Sequence, residues 1–145
     1  MTERSFDPNR LTFNDGLARI QRATEESQIR LERRILTSKD EDVARLTDVL
    51  KVNNVPEGFQ KWQLPIHLER PSQMFISTAA PGSTVAKHMH REGDGIRFIV
   101  SGSILYNGQE LTSGDWMFIP AGLEYSFDVG RFGVTMCYCY CCCCA

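Results

Sequence analysis

The chain has 145 residues, enough for one ordinary domain with a real core and a small annex. It is 42% hydrophobic and 23% charged, with a formal net charge of −2, which gives no electrostatic case for nucleic acid or an anionic membrane as partner. No apolar run approaches a membrane span, and the first twenty residues carry Arg4, Asp7, Arg10 and Asp15 with no apolar core, so a cytoplasmic protein with reduced thiols is expected.

Charge is concentrated early. Residues 1–51 hold 10 Lys+Arg and 10 Asp+Glu, and that stretch contains no Trp, Tyr, His or Cys. It reads as a charged helical annex over residues 1–52. Asn14 or Asp15 is positioned to cap a first helix running to about Leu36, with Leu17, Ile20, Leu31 and Ile35 on one face. Thr24 and Ser27 interrupt that stripe. Ser38-Lys-Asp-Glu41 matches a capping box, followed at helical spacing by Val43, Leu46 and Leu50. Val55-Pro56-Glu57-Gly58 ends the second helix.

From residue 53 the pattern changes to period two with turn punctuation. Strands are predicted over 73–78, 84–91, 96–101, 103–106, 109–112, 115–119, 125–129 and 132–140. Asn107-Gly108 between two alternating segments is the strongest hairpin signal, of the type I′ class. Many short strands at close spacing imply a barrel or sandwich over residues 53–136.

His88 and His90 are two apart, so on a strand both imidazoles leave the same face. A pair facing a barrel interior suits a divalent metal such as Fe, Zn, Mn, Ni or Cu. Glu92 continues the alternation and is a candidate carboxylate ligand. His67, in Pro65-Ile-His, reads as structural or surface. Arg91, Arg97 and Trp116 are substrate-facing candidates, but a strand-surface Arg and a core Trp are the ordinary explanations of such residues.

Two stretches carry a resemblance. Gly82-Ser-Thr-Val-Ala-Lys-His88-Met-His90, with Phe98-Ile-Val-Ser-Gly102, is similar to the first motif of the cupins, and Gly114-Asp-Trp-Met-Phe-Ile-Pro120-Ala-Gly122 to half of the second. The match spans about residues 73–136. The resemblance implies a mainly β fold, a cupin double-stranded β-helix (jelly-roll barrel) preceded by the helical annex. It further implies one metal ion held by His88 and His90 with Asp94, or with the Glu92 of the alternation. Tyr125 departs from the pattern by standing where the second motif has a histidine, as a fourth ligand, a hydrogen-bond donor or an aromatic that fills the barrel. The usual Glu position falls on Gly95 with one spacer and on Asp94 with the shorter one. The implied chemistry is oxygenase, isomerase or lyase action on a small molecule, with a homodimer as the assembly left open.

All six cysteines lie in residues 137–145: Cys137, Cys139, Cys141, Cys142, Cys143 and Cys144. Cys137 and Cys139 suit packing on a last strand. Four consecutive thiols suit neither disulfides between neighbours nor a separated-pair zinc pattern. The segment therefore reads as a Cys-rich tail that binds soft metal or is the substrate of a modifying enzyme.

Overall fold

A computed structural model describes residues 11–55, 57, 59–68, 73–91 and 93–140. Contacts divide these residues into two units. The described residues up to Leu31, with Glu41–His67, form a mainly helical unit. Glu32–Asp40, with the described residues from Leu68 onwards, form a β unit. The division cuts the chain differently from a break near residue 52. The segment 32–40 hydrogen-bonds to a β strand, and Gln63 is tied to Gly16, Arg19 and Leu50 among the helices. Cys137 and Cys139 lie within the last strand of the β unit.

In the helical unit, α1 spans Phe13–Ser27 and α2 spans Glu41–Val49. The cap of α1 is Thr12, one turn earlier than Asp15. Thr12 Oγ1 accepts from Asp15 N at 3.1 Å, and the Asp15 carboxylate accepts from Thr12 N at 3.2 Å. Those bonds hold Asp15 below the usual carboxylate range, with the side-chain bond the larger cause. The helix stops at Ser27 because Gln28 turns left-handed (φ 54°) and Ile29 N bonds back to Thr24 O. The helix thus ends well before Leu36, turned by Gln28 and not by the Thr24 and Ser27 that interrupt its apolar stripe. Ala23, Ile29, Leu46 and Leu50 bury together, with Ile20 and Leu31 against them. Short strands β2 (Lys51–Val52) and β3 (Lys61–Trp62) pair beside them. Thr12→Ala is expected to lower the stability of this unit by about 1 kcal/mol, measured as loss of helical ellipticity in urea.

The β unit is an antiparallel sheet of seven strands among the described residues. Its order is β1 (Leu36–Thr37), β8 (Trp116–Ile119), β6 (Gly95–Tyr106), β9 (Tyr125–Tyr140) and β4 (Gln73–Ala79). Off that path, β5 (Thr84–His88) pairs with β9, and β7 (Gln109–Thr112) pairs with β6. The mainly β class with short helices ahead of it is therefore as expected.

Two pairs of predicted strands are single long ones. β6 runs through Gly102 and β9 runs through Gly130–Gly133, and their mutual register shifts there. Gly102 adopts φ +75°, and a Cβ on it would come within 2.0 Å of Gly133 O, so the two strands touch backbone to backbone. Glycine reads as punctuation in sequence, yet here it lets two long strands bend together. The hairpin forms as expected: Asn107 and Gly108 both have positive φ, 47° and 77°, and Tyr106 pairs with Gln109.

The core gathers Ile99, Ile104, Leu111, Met117, Ile119, Tyr125, Phe127, Val129, Val134 and Met136. The segment 32–40 is fastened to β8 by polar groups. Ser38 Oγ donates to Asp115 Oδ1 at 2.8 Å and accepts from Trp116 N at 3.0 Å. That hydroxyl thus serves the β unit rather than the expected capping box. Thr37 Oγ1 donates to Gln109 Oε1 at 2.8 Å, and its amide donates to Asp40 at 2.9 Å.

Candidate functional site

β5 delivers His88 opposite Tyr125 on β9, and His90 follows two residues beyond the end of β5. The three rings form one cluster. The His88 and His90 centroids are 5.1 Å apart and nearly perpendicular, and His88 lies 4.6 Å from Tyr125. Both imidazoles are half-buried, whereas Tyr125 is fully buried beneath them.

Hydrogen bonds assign the nitrogens. His88 Nδ1 lies 2.8 Å from Ala86 O, and a carbonyl only accepts, so Nδ1 carries the proton and the Nε2 lone pair of neutral His88 is left. Tyr125 Oη lies 3.3 Å from His90 Nε2 and accepts from Arg97 Nη2 at 3.2 Å. A guanidinium only donates, so the phenol's own proton is available to His90 Nε2. Burial first, then the charges of His88 and Arg97, hold His90 below the ordinary imidazole value, which suits a neutral accepting ring.

Arg97 is the residue that sequence reasoning placed on a surface. It is 6% exposed. Its guanidinium stands over the rings of Tyr138 at 4.5 Å and Phe127 at 5.1 Å, and donates towards Met136 Sδ at 3.7 Å. A cation between aromatic faces is favourable, more so when desolvated. The available signal was its place between Ile96 and Phe98 in a strand apolar on both faces. Trp116 is in the core, as expected, and Arg91 is exposed. His67 is exposed and belongs to the helical unit.

Asp94 lies elsewhere. Its Oδ1 accepts from Ala121 N at 2.8 Å, and Gly122 N donates to His90 O at 2.8 Å. The Pro120-Ala-Gly122 turn is thereby tied to the segment that follows β5. Glu92 lies outside the described residues, as do Cys141, Cys142, Cys143 and Cys144. Among the described residues, no group of three His, Cys, Asp or Glu gathers to hold an ion.

The imidazole pair is where a divalent metal ion would sit. His88 Nε2 suits one, but His90 Nε2 faces the Tyr125 hydroxyl, and Asp94 serves a backbone amide. An ion on His90 Nε2 would also sit within about 9 Å of the Arg97 guanidinium, a repulsion of about 4 kcal/mol at an effective dielectric of 20. The described residues, as arranged, do not fit a divalent ion.

The lowered His90 value has a consequence for folding. The unfolded chain takes up the proton at a higher pH than the folded one. Stability therefore falls as pH drops from the ordinary imidazole range towards the folded value, and is insensitive to this group above that range. His90→Asn is expected to flatten that part of the profile in urea unfolding between pH 7.5 and about 5.

No protein-family model matches the sequence, and no curated protein matches it. Solved structures do show similarity. A protein of unknown function with a cupin-like fold from Ralstonia eutropha is 22% identical, with a TM-score of 0.45 over 51% of this chain and 49% of that one. A conserved protein with a double-stranded β-helix domain from Klebsiella pneumoniae is 22% identical, with a TM-score of 0.45 over 52% of this chain and 67% of that one. A predicted oxalate decarboxylase from Thermotoga maritima is 23% identical, with a TM-score of 0.41 over 47% of this chain and 64% of that one. The match thus spans about half the length of the first of these structures. No helix among the described residues is long and apolar enough to cross a membrane.

Proposed function

We propose that the β unit is a non-catalytic scaffold that presents a thiol-bearing strand, and that the cysteines of residues 137–145 are its functional element. The observation that carries this reading is β9 itself. It is hydrogen-bonded to β4, β5 and β6, and it runs without a break to Tyr140, directly before Cys141–Cys144. The groups that would make the interior a reaction chamber are engaged with one another instead: Arg97, Tyr125 and His90 form a hydrogen-bonded chain. The thiols act by holding a soft metal ion or as the substrate of a modifying enzyme. Intact-mass analysis of protein from its own host, with metal content of an all-Ser variant, tests this. Added mass confined to residues 137–145, or soft metal lost with the cysteines, is the expected result. Unmodified mass together with unchanged metal content in the Ser variant would overturn it.

A second reading keeps the imidazole pair as a metal site, with small-molecule chemistry of the oxygenase, isomerase or lyase type. The His88 Nδ1 bond to Ala86 O favours it, because fixing one nitrogen through a backbone carbonyl is how ligating histidines are oriented. The ion would require His90 to leave Tyr125, with Glu92 the carboxylate next in the alternation. Metal content that falls in a His88→Ala, His90→Ala variant with all cysteines already Ser would select this reading over the first.

A further inference from the structure

We propose that Cys137, Cys139 and Met74 form a Cu(I) site on the outer face of the β unit. The proposal rests on the thiol-strand reading, and its three donors are all described residues. The two faces of the sheet are distinguished by contacts. Tyr138 stacks on Phe75 with centroids 5.4 Å apart and lies against the Arg97 guanidinium, so Tyr138, Phe75 and Arg97 share the inner face. Side chains alternate along a strand, so Cys137 and Cys139 share the opposite face.

Register supplies the third donor. Met74 on β4 is the direct cross-strand partner of Cys139, and Ile76 is the partner of Cys137. Directly opposed residues project to the same side of a sheet with Cβ atoms about 5 Å apart. Met74 is 70% exposed and Ile76 is 75% exposed, so this side opens to solvent. Cys137 and Cys139 are half-buried and are not joined in a disulfide. Their Cα atoms lie about 7 Å apart along the strand, which is too far for a disulfide. The same spacing lets two sulfurs turned towards each other span one ion at metal–sulfur distances of about 2.3 Å.

The donor set selects the ion. Two thiolates and a thioether are soft ligands and suit Cu(I). Zinc takes four ligands, commonly with imidazole or carboxylate among them. On β6 the neighbours across from Cys139 and Cys137 are Ile96 and Phe98. With Ile76 they form an apolar surround in which a thiolate–Cu(I) centre is favoured over a hydrated divalent ion. Binding releases the thiol protons and changes no oxidation state, because the copper enters as Cu(I) from a reduced pool.

The test is an anaerobic Cu(I) titration of the full chain against bicinchoninate, in a background with Cys141–Cys144 changed to Ser. One equivalent is expected to remain bound in that background. Adding Cys137→Ser or Cys139→Ser should weaken it by about a hundredfold, and Met74→Leu by about tenfold. Leucine conserves the exposed apolar side chain, so the Met74 arm reads ligation and not folding. Loss of all Cu(I) in the Cys141–Cys144→Ser background overturns this site while leaving the thiol-strand reading intact. Unchanged affinity in the Cys137, Cys139 and Met74 variants also overturns it, as does Zn(II) binding as tightly as Cu(I). A wild-type chain that binds no Cu(I) and carries no modification defeats both.

Discussion

Gly102→Ala is expected to destabilise the β unit by about 3 kcal/mol or more, a loss large enough to leave a substantial unfolded fraction. The added Cβ would lie 2.0 Å from Gly133 O and 2.9 Å from Val134 Cα, both backbone atoms that no rotamer change can move aside. The residue also sits at φ +75°, where a side chain is strained whatever the space. Relief requires β6 and β9 to separate at the place where they bend together. Gly108→Ala is the control: it carries the same sign of φ with no atom within 4 Å of its Cβ, so its cost is backbone strain alone. Urea unfolding of both variants, followed by near-ultraviolet dichroism of the buried Trp116, checks the difference. Equal midpoints would mean that the close approach contributes nothing.

Arg97→Ala is expected to cost about 3 kcal/mol, while Arg97→Met costs little or stabilises the unit. Alanine leaves a cavity between Phe127 and Tyr138 and takes from Tyr125 its guanidinium donor. Methionine fills much of that volume without the cost of burying a charge. Both variants are expected to move the His90 value back towards ordinary imidazole, since Arg97 is one of the causes holding it down. Imidazole proton shifts followed by NMR through pH 5–8 report this directly. An unmoved His90 titration in both variants would contradict the chain from Arg97 through Tyr125.

What could be read in the sequence was set by local chemistry. Asn107-Gly108 announced its hairpin because a two-residue turn with positive φ at both positions has few competent residues. The His88 and His90 rings do lie close, but not by strand spacing: β5 ends at His88, and His90 reaches its neighbour from the segment beyond the strand. The helix stop at Gln28 was not legible, because glutamine carries no left-handed preference and the deciding bond comes from Ile29 to Thr24. Asp94 was not legible either: its partner is a backbone amide 27 residues further on. Arg97 reads as an outward residue until the Tyr138 and Phe127 rings are seen to close over it.

The attachment of the thiols to β9 matters when something pulls on them. A partner of the proposed thiols that gripped the chain after Tyr140 and pulled along the axis of β9 would load the strand lengthwise. Hydrogen bonds of an antiparallel ladder run perpendicular to that axis. The bonds from β9 to β4 and β6 are therefore loaded together in shear, rather than opened singly as when a hairpin is unzipped. β9 is consequently anchored on both sides and would resist such a pull as a unit.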